Sequence, residues 1–170
     1  MFAKPVLTVK EEWRGSFYLA EAFPTSDISE FKKIDQVQAV CFTGEGKVIL
    51  TKHIDGWRGL PGGHLHDNED LEQALKRELL EEAAVELLDW GVIGYERCYF
   101  LDDPEKKLIF VRVWARINPL NEEVADPDKK SLGREIVSFN EALKKLDYGE
   151  KGKLWLKEAK KHLTKNLALK

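Results

Sequence analysis

The chain has 170 residues, 43% of them hydrophobic, which fits one domain with a full core and leaves no room for a second of ordinary size. The formal net charge is −3, so the basic excess of a protein that holds nucleic-acid phosphate is missing, and no nucleic-acid partner is expected. Cys41 and Cys98 are too few for a disulfide framework and read as buried free thiols in a reducing compartment. The first five residues lack a signal-peptide core, and no run approaches a membrane span. The expectation is therefore a single cytoplasmic domain over 1–170 with no membrane partner.

Residues 1–33 read as an N-terminal extension or first strand. Residues 16–23 have strand composition, and Pro24-Thr25-Ser26-Asp27 ends them. Two apolar runs, 37–43 and 47–52, flank Gly44-Glu45-Gly46 and predict a hairpin. Residues 53–68 form a long loop containing five glycines or prolines, a composition that marks functional loops. A helix follows over about 69–84, with Asp67 or Asn68 as its cap. Strands over 90–101 and 107–117 surround an Asp102-Asp103-Pro104 turn, in which both aspartates read as turn residues. Arg112 and Arg116 alternate with apolar neighbours, which predicts one wet face for the second of these strands. Ser138-Phe139-Asn140-Glu141 is a capping box opening a helix to about 146. A last helix spans about 153–167, with Trp155, Ala159 and Leu163 on one face. The sum is an α/β or α+β body with helices on both sides of a sheet.

The helix at 69–84 carries an anomaly. At about 100° per residue, Leu71, Ala74 and Leu75 define the inward stripe, and Glu78 and Glu82 project into the same sector with Glu81 at its edge. Carboxylates four apart repel, and partly buried ones need a partner that cancels their charge. Arg77 is the one nearby cation, and a helical wheel puts it on the flank. A divalent metal is the natural partner, because Mg²⁺ takes hard oxygen ligands shared with substrate phosphates. The alternative is a solvated acidic face.

The spacing is more specific. Gly63 is followed after five residues by Glu69, and after seven more by Arg77-Glu78-Leu79-Leu80-Glu81-Glu82-Ala83-Ala84-Val85. This closely resembles the box of the MutT-like Nudix hydrolases, Gly-x5-Glu-x7-Arg-Glu-U-x-Glu-Glu-x-Gly-U with U aliphatic. The lead-in Trp57-Arg58-Gly59-Leu60-Pro61-Gly62 also resembles the family's. One position departs: Ala84 stands where the family has its second glycine, which bears on the tight turn ending the box and not on its ligands.

The resemblance implies a Nudix α/β/α sandwich with a mixed β-sheet between helices. It implies Mg²⁺, or Mn²⁺ in its place, held by Glu78, Glu81 and Glu82 with the Gly62 carbonyl. One of those glutamates, or a later carboxylate, would activate water. Arg77 would orient a glutamate, Glu69 would steady the loop, and Gly62 and Gly63 would allow close backbone approach. The implied reaction is cleavage of the diphosphate in a nucleoside diphosphate linked to a group X: a nucleoside triphosphate, an ADP-sugar or a dinucleoside polyphosphate. The rival on the same fold is a catalytically silent nucleotide-binding regulator, which predicts damaged box carboxylates. An isomerase would need an active-site cysteine, and neither Cys41 nor Cys98 lies near the box in sequence. Trp57 and Arg58 are candidates to stack on a base or meet a phosphate. Glu135 is either an acidic residue near the metals or a strand-edge charge. His64 and His66 read as exposed loop residues. The N-terminal strand could serve a homodimer.

Overall fold

A computed structural model describes residues 4–13, 15–103, 105–121 and 127–168. The chain runs β1 (Leu7–Trp13), β2 (Ser16–Pro24), β3 (Gln36–Phe42), β4 (Val48–His53), β5 (Arg58–Gly59), β6 (Gly62–His64), α1 (Leu71–Ala83), β7 (Val85–Phe100), β8 (Lys107–Pro119), β9 (Ser131–Val137), α2 (Phe139–Lys145) and α3 (Gly149–Ala168). Among the described residues the strands join one sheet in the order β1-β2-β7-β8-β3-β4-β5, with β6 paired to β3 and β9 to β4. The β3–β8 pair is parallel and the other pairs are antiparallel, so the sheet is mixed.

Alternation along the central strands builds two cores. Val37, Ala39 and Cys41 of β3 join Val111, Val113 and Ala115 of β8 under Ala74, Leu75 and Leu79 of α1. Val40 and Phe42 face the other way, where Trp114 meets Ala142, Trp155, Leu156 and Ala159 of α2 and α3. The expected α/β/α layering is what the chain adopts.

Several boundaries differ from expectation. The N-terminal segment is a hairpin, β1 with β2, attached through β2 to β7. Charged Lys10, Glu11 and Glu12 hide β1 in the sequence because it is an edge strand, where charge is usual. The loop over 53–68 contains β5 and β6, too short to show periodicity. Helix α1 starts at Leu71 and its cap is Asp70, not Asp67 or Asn68. The reason is reciprocal bonding: Asp70 accepts from the Gln73 N–H while the Gln73 side chain accepts from the Asp70 N–H. Asn68 instead turns the chain at φ 66°. Arg112 does not lie on a wet face; it is 3% exposed and ion-paired to Glu96 beneath α3. Asp102 and Asp103 are exposed between β7 and β8, while Pro104 lies outside the described residues.

Candidate active site

Four residues of α1 and the strand β6 build the site. Arg77 is its hub. Its guanidinium donates two hydrogen bonds to Glu69, at 2.7 and 3.0 Å. It also donates to Glu78 at 2.7 Å, to Glu81 at 3.4 Å and to the His64 carbonyl at 3.0 Å. The helical wheel put Arg77 on the flank; its long side chain folds back so that one rigid fork serves loop and helix together. Glu69 also accepts the His66 N–H at 2.9 Å. These bonds, Arg77 first, hold the Glu69 carboxyl down at about 2.

Glu78 and Glu82 lie against the glycine strand. A Cβ on Gly63 would sit 2.4 Å from the Glu78 carboxylate, so the absent side chain is what admits that group. Gly62 has φ 144°, and a Cβ there would come within 2.2 Å of the Val37 carbonyl; only glycine lets β6 lie so close on β3. The Gly62 N–H donates to Glu82 at 3.0 Å. Burial raises the Glu78 pKa above the ordinary carboxylate range, Arg77 opposes this, and the charge of Glu81 adds to it.

Among the described residues no group of three or more His, Cys, Asp or Glu side chains converges on one point as a formed metal site. The donor chemistry still fits a hard divalent cation. Glu78, Glu81 and Glu82 are all-oxygen donors on adjacent turns, and Glu78 carries a half-buried charge that its surroundings disfavour.

The C-terminal end of α1 is fastened from outside. Ala84, at φ 46° and ψ 53°, adopts the left-handed turn that glycine normally supplies. Arg134 of β9 donates to the Ala83 and Ala84 carbonyls at 2.7 and 2.6 Å, and to that of Leu120 at 2.6 Å. Ser131 donates to the Glu82 carbonyl at 3.0 Å. The departure at Ala84 therefore leaves the turn in place. Nothing in the sequence near Arg134 marks this role, because its partners lie 14 to 51 residues away.

A cleft of about 670 Å³ opens on the α3 side of the sheet. Aromatic Tyr18, Phe100, Phe110 and Tyr148 line it, with Gln38, Trp57 and His64 at the end nearest the glycine strand. Trp57 and Gln38 also border a small pocket that reaches Gly62 and Glu82. Trp57 is 38% exposed, with one face stacked on His53 at 4.4 Å. Arg58 and Glu135 are placed elsewhere: Arg58 donates to Glu135 at 2.8 Å, and Glu135 also accepts from Lys145. Each thus has a charged partner away from the cleft lining. His64 and His66 are both exposed, and His64 borders the cleft. Both cysteines are buried and free. Cys98 lines the cleft, but burial pushes its thiol up to about 12, so it is not an activated nucleophile.

Residues 32–157 match the NUDIX domain family. A mixed sheet between helices, with the box glutamates folded onto a double-glycine strand, defines a Nudix fold, and this chain belongs to that family. Among solved structures it is similar to a variant of the Bacillus subtilis pyrophosphohydrolase BsRppH, at 21% identity over 77% of each chain with a TM-score of 0.61. It is also similar to a NUDIX hydrolase from Nitrosomonas europaea, at 18% identity over 78% of this chain and 90% of that one, TM-score 0.60. An Ap4A hydrolase of C. elegans matches at 20% identity over 76% and 98%, TM-score 0.55. No curated protein matches the sequence.

Proposed function

We propose that the chain is a divalent-metal-dependent hydrolase that cleaves the diphosphate of a nucleoside diphosphate linked to a group X. The observation that carries this reading is the seating of Glu78 and Glu82 on the Gly62–Gly63 backbone, where Glu82 and Gly62 border a small pocket with Gln38 and Trp57, two residues that also line the aromatic cleft. Glu78, Glu81 and Glu82 would hold Mg²⁺, or Mn²⁺, with the Gly62 carbonyl. A bound ion of this kind neutralises the diphosphate and lowers the pKa of an attacking water.

The protein's own groups do the rest. Arg77 fixes the orientation of Glu78 and Glu81 and ties both to the loop through Glu69. One of Glu78, Glu81 and Glu82, or a carboxylate of a later loop, would receive the proton of the attacking water. The cleft beside Trp57 is large enough for a nucleoside. Two of the similar structures, a pyrophosphohydrolase and an Ap4A hydrolase, support this substrate class. Nucleoside triphosphates, ADP-sugars and dinucleoside polyphosphates all fit, because the box handles only the diphosphate.

The test is phosphate release, coupled to a phosphatase, across a panel of these compounds with Mg²⁺, Mn²⁺ or EDTA. Turnover that EDTA abolishes is expected. Glu82→Gln keeps an oxygen acceptor for the Gly62 N–H, so it is expected to fold normally and lose turnover. A folded wild-type chain that binds nucleotides and cleaves none would establish the alternative, a catalytically silent regulator.

A further inference from the structure

The turn between α2 and α3 is docked on the loop that leads into the glycine strand. The Arg58 N–H donates to the Asp147 carboxylate at 2.7 Å, and the Asp147 N–H returns a bond to the Arg58 carbonyl at 3.0 Å. One residue further on, the Tyr148 hydroxyl accepts from two donors: the Leu60 N–H at 3.3 Å and Gln38 Nε2 at 3.0 Å. Both donor residues are close to fully buried, Leu60 at 2% and Gln38 at 9% exposure. Gly59 has no room for a side chain, since a Cβ there would lie 2.9 Å from that hydroxyl and 2.3 Å from the Trp57 ring.

This hydroxyl occupies a junction. Leu60 stands two residues before Gly62, whose N–H is held by Glu82, and the Pro61 carbonyl between them accepts the Ala39 N–H at 2.9 Å. Gln38 is the β3 residue paired with Gly62. Tyr148, Gln38 and Trp57 all line the aromatic cleft. The Tyr148 oxygen thus ties α3, the cleft wall and the glycine strand to one point. Burial raises its pKa, with Arg112 opposing, so the group stays neutral and acts by position.

We propose that Tyr148 is a positioning residue. Its hydroxyl sets the height of the Leu60–Gly63 segment against β3, and so fixes the glycine strand relative to whatever fills the cleft. This rests on the reading of the glycine strand as one wall of a diphosphate-cleaving site, but the contact can be tested without that reading. Removing the oxygen leaves two buried donors without an acceptor, which a segment of this kind relieves by opening locally. Small displacements of a site-forming loop reduce turnover more than they reduce binding.

The experiment is Tyr148→Phe in the full chain, read by hydrogen exchange of backbone amides and by steady-state kinetics on the best substrate from the panel. Exchange of the Leu60, Gly62 and Gly63 amides is expected to speed up by about tenfold, while α1 and α3 amides stay at wild-type rates. The kcat is expected to fall about tenfold with KM within about twofold. Gln38→Met, which removes one of the hydroxyl's two donors and keeps the hydroxyl itself, should speed exchange at the same residues and serves if Tyr148→Phe does not fold. Wild-type exchange at these amides in a folded variant would overturn the proposal, as would a rise spread evenly over the whole chain. Local exchange without turnover in any form, wild type included, would sink the hydrolase reading and leave the positioning contact standing.

Discussion

Arg77 shows how one side chain can decide the behaviour of several others. Its fork takes two oxygens of Glu69, one each of Glu78 and Glu81, and a carbonyl. Lysine carries the same charge but cannot match that geometry. Arg77→Lys is expected to cost about 1.5–3 kcal/mol in urea denaturation, the range for losing hydrogen bonds to charged groups. The two carboxyls have opposite linkage signs. Glu69 is depressed to about 2, so its contribution is complete above about pH 4.5 and is lost as pH falls towards 2. Glu78 is raised, so its ionisation at neutral pH works against the folded state. Glu78→Gln is therefore expected to raise the metal-free Tm at pH 7, while Glu69→Gln should flatten the stability curve between about pH 4.5 and 2. A lower metal-free Tm in Glu78→Gln would show that its bond to Arg77 outweighs the cost of its burial.

At the scale of the element, α1 was legible because its information is local. Helical spacing puts Glu78 and Glu82 on one face whatever surrounds them. Its termination was less legible. The sequence offers alanine at the turn position, and the structure supplies Arg134 from β9 to hold the last carbonyls. The left-handed turn costs an alanine on the order of 1 kcal/mol, and the buried methyl of Ala84 returns a similar amount. Ala84→Gly should thus shift thermal stability little, whereas Arg134→Met should cost about 2–3 kcal/mol by leaving three carbonyls uncapped. Strand β8 was misread at Arg112 because alternation reports which face a residue takes, not whether that face is wet. Here the face is covered by α3, and Glu96, at 0% exposure, accepts from both Arg112 and Trp155. Burial would raise the Glu96 pKa, but Arg112 and Lys151 outweigh it and hold it low. Glu96→Gln strands the buried Arg112 and leaves Lys151 with Glu11 alone, and is expected to cost about 3–5 kcal/mol, measured by thermal or urea unfolding.

At the scale of the whole molecule, the N-terminal hairpin lies outside residues 32–157 that match the family, yet it is tied into the body. Lys151 of α3 reaches Glu11 at 2.6 Å and Glu96 at 3.0 Å, and Tyr18 donates to the same Glu11. Removing residues 1–24 would take Glu11 from Lys151 and leave it Glu96 alone, uncover the β7 edge and open one wall of the cleft. Aggregation on size-exclusion chromatography, or a large drop in Tm, is the expected result. A homodimer through β1 would have to pair the edge that bears Lys10, Glu11 and Glu12; light scattering of the full chain distinguishes one copy from two.

By itself the sequence determined the layer order, the hairpin of β3 and β4, the helices that flank the sheet, and the register of the box carboxylates. Those features follow from periodicities of two and 3.6 and from turn chemistry, all read within a few residues. The tertiary structure alone decided which partner each charge and each hydroxyl received: Arg112 with Glu96, Arg134 with the end of α1, Arg58 with Glu135, and Tyr148 with Leu60. Those partners lie 16 to 88 residues apart, and only packing the two cores against one sheet brings them within hydrogen-bond reach.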